Sequence, residues 1–441
     1  MSLWTHDDLV DYSNLKNEDL LEKSGQRSEM KTFVNLLRLF LFFLLSGLFS
    51  GCSKENLLEV TFPKGLEAHL VPVTFELPQD FKDTAAVWEI FPPECLKAKR
   101  ASGQTWVDYT KPGSDKKRPL MVTFLWDIGD TPGGKTIYYL VRRAEKVQPA
   151  FSFEERKDGE LTLVQNGAPA LTYIYGLKLK EGVPEDRRRS SYVHPVYGLD
   201  GEVLSDDFPQ DHYHHRGIFW TWPEVFVGSD SVSLWDIRGI YQRFERWLGR
   251  ESGPVFARFG VENGWYIGEK KVVDEKVWIT AYRAGEIGRI LDFEFAWEAL
   301  EKPVTLLGAP EENKGYGGFS LRFAPFAGPV ITTPGGVQNE DTNLMPFPWA
   351  DLSARFGSSD KLSGAAIFDN SRNIGFPNGW TLRHYGFLGV AWPGNNPYTL
   401  QPGQPVRASY RVWLHRNNAE DGLVSSAYLA YSEPPKVKYM H

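Results

Sequence analysis

Apolar and polar residues alternate in short runs along most of the chain, and glycine or proline separates one run from the next. The alternation is clear in residues 57–62 and 71–77, and residues 121–126 and 171–177 are further strand candidates that are rich in β-branched and aromatic side chains. A period of two with these residue types predicts β-strands. Helical spacing of apolar residues is weak, and residues 232–247 form the one stretch that suits a helix. The pattern therefore predicts an all-β protein.

The strand-like runs fall into two groups that meet near Gln148. Residues 53–147 predict a small N-terminal β-domain, and residues 148–420 predict a large antiparallel β-sandwich. Residues 421–441 are left as a C-terminal tail. The chain contains no repeat of about 20–50 residues, which argues against a propeller or a solenoid.

The composition indicates a globular protein and limits the classes of partner that it can bind. Of the 441 residues, 42% are hydrophobic and 24% are charged, which is enough apolar surface for a large core. The net charge of −7 argues against a nucleic-acid partner, because such proteins usually carry a basic patch. The two cysteines, Cys52 and Cys95, cannot build a disulfide framework. Packing must therefore hold the fold.

Residues 30–51 have the features of a secretory signal peptide. Lys31 and Arg38 supply the positive charge at its front. The uninterrupted apolar run that follows, residues 39–45, is far shorter than the roughly 20 residues that a membrane span needs. The segment therefore predicts secretion rather than a transmembrane helix.

The end of this segment, residues 48–52, resembles the lipobox of bacterial lipoproteins, with Cys52 at its last position. We therefore expect lipidation of Cys52, which would become the mature N-terminus, and an ordinary signal peptide is the alternative. Residues 1–29 are rich in acidic side chains, the wrong charge for the front of a signal, so we expect the true start at Met30. A lipid on Cys52 predicts attachment to the periplasmic or outer face of a bacterial membrane.

Four of the nine histidines lie within one short segment: His194, His212, His214 and His215. Three aspartates and an arginine accompany them: Asp206, Asp207, Asp211 and Arg216. If residues 212–215 are extended, side-chain alternation points His212 and His214 to one face and His215 to the other. Such a concentration of imidazoles and carboxylates predicts a shared role for these side chains.

Three uses fit this segment. A histidine near its free pKa can act as an acid or a base, with Asp207 or Asp211 orienting the imidazole and Arg216 holding a carboxylate. Alternatively, His212 and His214 on one face could bind a divalent metal with an open position, although their spacing matches no specific metal signature. In the third use, these residues join a long loop through buried hydrogen bonds. The sequence implies no cofactor other than this alternative metal.

Two later segments add candidates for ligand binding. A glycine-rich turn contains Tyr316 and leads into a strand that carries Arg322, but it lacks the Gly-Lys-Ser/Thr ending of a phosphate-binding loop. Further on, Arg383 and His384 lie among aromatic residues. Flat aromatic faces can stack on sugar rings, and planar polar groups can bind hydroxyls. These residues therefore predict contacts with a saccharide.

Three motifs resemble those of a bacterial family labelled methane oxygenase PmoA-like: His194-Pro195-Val196-Tyr197, Asp206-Asp207-Phe208-Pro209 and DHYHHRGIFW at residues 211–220. The resemblance covers about residues 150–420. The label is a poor guide to function, because a methane monooxygenase subunit would need membrane spans that the mature chain lacks. The resemblance instead implies a supersandwich similar to that of galactose mutarotases and several polysaccharide-active enzymes. It thereby implies a carbohydrate-related role.

We therefore interpret the chain as a lipid-anchored enzyme that processes a glycan as a hydrolase, an epimerase or a lyase. Its expected partners are a saccharide and, through the anchor, a membrane. One alternative is a metal-dependent enzyme, and another is a non-catalytic glycan-binding lipoprotein of the envelope. The expected catalytic residues are His212, His214, Asp207 and Asp211. The expected saccharide-binding residues are His194, His215, Arg216, Tyr316, Arg322, Arg383 and His384.

Overall fold

The computed structural model of the protein describes residues 56–67, 70–78, 86–91, 101–108, 118–126, 136–143 and 147–440. The expected signal segment, Cys52 and Cys95 lie outside these residues, so the expectations about them stay predictions. Among the described residues, no helix is long and apolar enough to cross a membrane.

Most of the regular structure is β-strand, as the alternating pattern predicts. The strands up to residue 232 are β1 (Asn56–Thr61), β2 (Val71–Glu76), β3 (Val87–Phe91), β4 (Ala101–Val107), β5 (Leu120–Trp126), β6 (Thr136–Arg143), β7 (Phe151–Arg156), β8 (Glu160–Gln165), β9 (Ala168–Ile174), β10 (Tyr192–Val196), β11 (Ile218–Thr221), β12 (Glu224–Val227) and β13 (Asp230–Val232). The later strands are β14 (Tyr241–Ser252), β15 (Phe256–Ile267), β16 (Lys270–Tyr282), β17 (Gly288–Ala299), β18 (Val304–Leu307), β19 (Gly318–Arg322), β20 (Phe326–Thr333), β21 (Gly336–Gln338), β22 (Thr342–Pro346), β23 (Trp349–Phe356), β24 (Ser363–Asp369), β25 (Gly379–Arg383), β26 (Phe387–Ala391), β27 (Tyr398–Leu400), β28 (Val406–Arg416) and β29 (Lys436–Met440). The helix α1 spans Val424–Ser432, and short 3-10 turns lie at Glu185–Arg187 and Glu311–Asn313.

A seven-stranded antiparallel sheet, the N-terminal sheet, has the order β2-β5-β4-β3-β6-β1-β29. Val60, Val73, Trp88 and Phe124 lie in its apolar core. Its last strand comes from the other end of the chain, since β29 pairs with β1. Residues 421–441, left as a tail by the sequence pattern, therefore contribute α1 and one strand of this sheet.

The N-terminal sheet is joined to the rest of the chain by a side chain of β4. Gln104 Oε1 accepts hydrogen bonds from the backbone N–H groups of Val255 and Phe256, both at 3.1 Å. The guanidinium of Arg258 lies between Trp106 and Trp278, at 4.8 and 4.4 Å from the two ring centroids. These contacts fix the docking of the N-terminal sheet through buried polar and aromatic groups.

Two nine-stranded sheets form the large sandwich. The front sheet has the order β22-β25-β26-β19-β11-β10-β9-β8-β7, and the back sheet has the order β14-β15-β16-β17-β28-β24-β23-β20-β21. Their inner faces share one apolar core, in which Phe319 meets Phe293 at 5.1 Å and Trp220 meets Phe295 at 4.9 Å between ring centroids. A four-stranded sheet, β13-β12-β18-β27, adds apolar residues to the same core. This architecture confirms the predicted all-β antiparallel sandwich.

The helix expected over residues 232–247 is absent from that described stretch, which instead ends β13, turns and enters β14. The helix-like spacing of apolar residues in this stretch has a physical cause. Two register shifts interrupt β14, one after Phe244 and one after Trp247. A β-bulge adds a residue and resets the alternation of side chains. Phe244 and Trp247 thus pack together at 4.9 Å despite a helix-like spacing of three.

Candidate functional site

The outer face of the front sheet carries the candidate site. Strand alternation sends Tyr173 and Val193 into the core and leaves Thr172, Tyr192 and His194 on the opposite face. A cavity of about 650 Å³ opens on this face over β7–β10. Its walls include Lys180, Tyr192, His194, Tyr197, Asp207 and Phe208.

Residues 206–216, here called the histidine loop, begin beside the end of β19 and lead into β11. The backbone N–H of Asp206 donates to the carbonyl of Arg322 at 3.0 Å, which ties the start of the loop to β19. At its end, a Cβ on Gly217 would collide with the carbonyl oxygen of Val193, so only glycine allows the chain to enter β11 this close to β10. The loop is thus held at both ends.

The histidine loop folds as consecutive turns rather than as an extended strand. The N–H of His212 donates to the carbonyl of Pro209 at 3.1 Å, and the N–H of His215 donates to the carbonyl of His212 at 2.9 Å. This conformation corrects the expected alternation, in which His212 and His214 shared a face. The rings of His212 and His215 instead stack at 4.6 Å, and His214 stands edge-on to both.

Asp207 borders the cavity at the start of the loop. Its Oδ2 accepts a hydrogen bond from the Tyr192 hydroxyl at 3.1 Å, and its Oδ1 lies 3.4 Å from Nε of Arg216. Burial raises the pKa of this carboxyl to about 6, against the opposing influence of the Arg216 charge. Asp207 can therefore exchange a proton near neutral pH.

His194 lies on β10 and lines the same cavity. Its Nδ1 is 3.0 Å from Ser205 Oγ, which also accepts the N–H of Val196 at 2.9 Å. Burial, with the nearby Arg216 charge, lowers the pKa of His194 to about 4. The imidazole is therefore neutral at pH 7.

Arg216 is fully buried and holds the histidine loop from within. Its Nη1 donates to the carbonyls of Tyr213 and His215, and its Nη2 donates to the carbonyl of Arg187 at 2.7 Å. The guanidinium also lies 3.5 Å from the ring centroid of Phe208. This placement supports the loop and the Asp207 carboxylate, and it leaves no exposed surface for a ligand.

His212, His214 and His215, the histidine cluster, lie beside the cavity rather than in its wall. His215 is 2% exposed, and three aromatic rings surround it at 5.0 to 5.9 Å: Phe387, Trp235 and Phe219. Burial lowers the pKa of His214 to about 3 and lowers that of His215 well below its ordinary value. These two imidazoles are neutral and chiefly contribute packing.

Asp211 and Arg322 form an ion pair at the outer side of the cluster. Arg322 Nη2 donates to both carboxylate oxygens of Asp211 at 2.9 Å, and His212 Nδ1 lies 2.9 Å from Oδ2 of the same carboxylate. Burial alone would raise the pKa of Asp211. The hydrogen bond with His212 and the charge of Arg322 outweigh that effect, so the pKa lies below its ordinary value. The exposed ring of Tyr385 covers this group, 5.2 Å from His212 and 4.7 Å from the Arg322 guanidinium carbon.

The other expected binding residues lie around this face without joining the cavity wall. Tyr316 packs its ring on Trp235 at 4.9 Å. Arg383 donates to the carbonyl of Thr342 at 2.7 Å, and the backbone N–H of His384 donates to Asp341 at 2.9 Å. Arg383 and His384 therefore anchor the start of β22, which pairs with β25 in the front sheet.

A metal site at His212 and His214 finds no geometric support. In the part of the chain that the structure describes, potential ligand atoms converge in one group, formed by Glu245, Glu262 and Asp274 on the back sheet. Lys271 lies 2.8 Å from the Glu245 carboxylate, so a cation of the protein already compensates this acidic group. The predicted metal ligands do not take part in it.

Three residues important to the site escaped the sequence analysis. Tyr192 was detectable, because it stands two positions before His194 and so shares its strand face. Tyr385 directly follows His384, yet nothing in the sequence showed that its ring covers Arg322. Trp235 contacts the cluster from a separate turn, and no local pattern indicated that contact.

Comparisons with known proteins give a family and distant structural similarity. No curated protein matched the chain in sequence. Among solved structures, the chain is similar to a glycosyl hydrolase family 38 protein from Enterococcus faecalis, with 11% identity, a TM-score of 0.43, and coverage of 89% of this chain and 48% of that one. It is also similar to an α-mannosidase from Enterococcus faecalis V583, with 10% identity, a TM-score of 0.39, and coverage of 88% and 46%.

A third similar structure is a GH36 α-galactosidase from Geobacillus stearothermophilus in complex with raffinose, with 12% identity, a TM-score of 0.32, and coverage of 63% and 41%. The chain thus spans less than half the length of each of these proteins, and the likeness says nothing about the reaction. A family model described as a family of unknown function, DUF6807, matches residues 160–428, which include the histidine loop and every strand of the front sheet except β7. The resemblances to a methane oxygenase and to mutarotases stay predictions. The chain belongs to this family of unknown function, DUF6807.

Proposed function

We propose that this protein is a saccharide-processing enzyme in which Asp207 accepts a proton from the substrate or from a water molecule beside it. The cavity of about 650 Å³ over β7–β10 would hold the saccharide. One observation carries the proposal: Asp207 and His194 line the same cavity, and burial shifts their pKa values in opposite directions. Such pairs are typical of acid–base sites.

Asp207 is suited to the role of proton acceptor. Two donors lie near its carboxylate, the Tyr192 hydroxyl at 3.1 Å and Arg216 Nε at 3.4 Å. Donors stabilise the carboxylate form, whereas burial raises the pKa to about 6. A pKa near the working pH makes a general base efficient, because the base is both ionised and basic enough.

His194 is suited to donate a hydrogen bond to a saccharide oxygen. Ser205 Oγ accepts the Val196 N–H, so its own hydrogen is available for His194 Nδ1. In the tautomer in which Nδ1 accepts that hydrogen, the imidazole hydrogen is on Nε2, which has no hydrogen-bond partner among the described residues. Because the pKa of His194 is about 4, the ring keeps this single hydrogen at pH 7.

The histidine cluster has a supporting part in this proposal. His214 and His215 are neutral and packed among aromatic rings, so they position the loop that carries Asp207. This assignment differs from the sequence-based hypothesis, which gave His212 and His214 the acid–base role. Asp207, which the sequence predicted to orient a catalytic imidazole, is the proton acceptor in this proposal.

The test is a screen of oligosaccharides for turnover by the wild-type protein and by Asp207→Asn. We expect the variant to lose about 10²–10⁴-fold in kcat, the range of a general base, while it stays folded at the pH of the assay. Asp206→Asn is the matched control, because Asp206 neighbours Asp207 in the loop and Asn can still accept the Asp207 N–H at the position where Asp206 Oδ1 does. Equal activity of wild type and Asp207→Asn would refute the role of Asp207. Saccharide binding without turnover by wild type would favour the glycan-binding lipoprotein.

We also propose that the protein is anchored to the bacterial envelope through a lipid on Cys52. The lipobox-like residues 48–52 support this proposal. Cells that express the full sequence should yield a membrane-bound protein whose first residue is a lipidated Cys52 by mass spectrometry. Cys52→Ala should release the protein from the membrane fraction, and an unlipidated native N-terminus would contradict the proposal.

A further inference from the structure

We propose that Arg322 and the exposed ring of Tyr385 form an acid-specific subsite, which binds the carboxylate of a uronic acid residue in the saccharide. The inference rests on the proposed function, because it names the substrate class of the same protein face. Its starting point is a buried cation whose hydrogen-bonding capacity is only partly used.

Arg322 has more donors than the protein satisfies. Its side chain is 7% exposed, and Nη2 binds both oxygens of Asp211 at 2.9 Å. Nε and Nη1 are buried and have no acceptor among the described residues. Nδ1 of the neighbouring His215 is likewise buried without a partner. Unpaired buried donors are costly, so such a group favours a ligand that is rich in acceptors.

The side chain of Tyr385 lies over the guanidinium that carries these donors. It occupies the turn between β25 and β26, where the N–H of Gly386 donates to the carbonyl of Arg383 at 2.9 Å. The residue is 41% exposed, and its hydroxyl has no hydrogen-bond partner among the described residues. The ring is held by stacking on His212 and His215 and by the contact with Arg322. Rotation of this partly exposed side chain would break these contacts and uncover the guanidinium.

A carboxylate fits the group better than a neutral hydroxyl does. Charge-assisted hydrogen bonds from a guanidinium are stronger than bonds between neutral groups, and burial enhances them. The exposed ring next to Arg322 offers an apolar face to the sugar that bears the carboxylate. Both the subsite and the cavity lie on the outer face of the front sheet, so one saccharide chain can extend from one to the other.

Binding by calorimetry tests the subsite separately from turnover. The probes are oligosaccharides of glucuronic or galacturonic acid and the matching neutral oligosaccharides of glucose or galactose. We expect wild type to prefer the acidic series by at least about tenfold, as one charge-assisted contact implies. Arg322→Gln should abolish the preference, and the exposed Arg246→Gln on β14 should retain it.

A second variant tests the subsite even if Arg322→Gln fails to fold. Asp211→Asn removes the competing carboxylate, so it should strengthen uronate binding and leave neutral saccharides unaffected. Equal affinity of wild type for acidic and neutral probes would overturn the subsite, even if Asp207 turns over neutral saccharides. Uronate binding that free acetate matches at equal concentration would also overturn it, because the sugar would then contribute nothing. Uronate binding without turnover would instead refute the proposed function and leave the subsite standing.

Discussion

The cavity and the histidine cluster lie on one face of the front sheet, yet their titratable groups behave differently. In the cavity, Asp207 has a pKa of about 6 and meets the open space directly. In the cluster, His214 has a pKa of about 3, and His215 is enclosed by aromatic rings. The comparison shows that the segment richest in histidine is not the part best suited to proton transfer.

The difference has a physical origin in what surrounds each group. An imidazole that is buried among rings loses hydration and has no carboxylate to stabilise its charge, so it stays neutral. A carboxyl that is buried beside donors such as Tyr192 and Arg216 can still ionise, but at a higher pH than in water. The cluster therefore contributes stability, and the cavity contributes a proton acceptor.

The largest expected effect is on stability. His215→Ala should lower the free energy of unfolding by about 2–4 kcal/mol, because it leaves a hole among Phe387, Trp235 and Phe219. His194→Ala, on the cavity wall, should cost less than about 1.5 kcal/mol. Urea denaturation of both variants measures the contrast. Similar losses from the two variants would remove the distinction between a packing region and a chemical region.

The next effect is on the pH dependence of turnover. As a base, Asp207 works as the carboxylate, so kcat/KM should rise through pH 6 and be roughly tenfold lower at pH 5 than at pH 7. His214 should add no inflection in this range, because its pKa is about 3. Asp206→Asn should retain the rise. A rate that falls through pH 6 would make Asp207 the acid instead of the base.

Much of the fold was predictable, because alternation along each strand is a local property. The sequence identified the all-β class, the large sandwich and the stretch that holds His194 and Asp207. It failed over residues 232–247, because the bulges of β14 imitate helical spacing. It also left residues 421–441 unassigned, since the pairing of β29 with β1 joins the two ends of the described chain.

The site was less predictable than the fold, because its geometry depends on distant segments. The cavity wall includes Lys180 and parts of β7–β9, which carry no chemical motif. The roles within the histidine loop depended on whether it is extended or turned, and two backbone hydrogen bonds decide for turns. Arg216 looked like a ligand clamp from its residue type, yet its burial makes it a support for the loop.

A smaller effect should appear in the acid stability of the fold. Burial lowers the pKa of His214 to about 3, so its contribution to stability is complete above the unfolded value of about 6.5 and is lost as the pH falls towards 3. His214→Gln should therefore reduce the loss of unfolding free energy between pH 7 and pH 5 by on the order of 1 kcal/mol.

Asp207→Asn is the control, because folding shifts the pKa of Asp207 in the direction opposite to that of His214. Its pKa is raised to about 6, so its favourable contribution is present below about pH 4 and is lost as the pH rises through 6. Asp207→Asn should therefore steepen the loss of stability on acidification that His214→Gln reduces. Unfolding curves at pH 7, 6 and 5 compare the two variants. If both substitutions changed the pH dependence of the unfolding free energy in the same direction, the cavity and the cluster would share one electrostatic environment.

The smallest effect is expected at Tyr316, which the sequence placed among the saccharide-binding residues. Its ring packs on Trp235 at 4.9 Å, and its hydroxyl has no hydrogen-bond partner among the described residues. Tyr316→Phe keeps the ring, so kcat/KM should stay within about twofold and the unfolding free energy within about 0.5 kcal/mol. Tyr192→Phe is the matched change in the cavity wall, and it should cost about tenfold in kcat/KM, because it removes the donor to Asp207. If Tyr316→Phe proved the more harmful of the two, the saccharide would have to extend past Trp235, and the boundary between cavity and cluster would need to be redrawn.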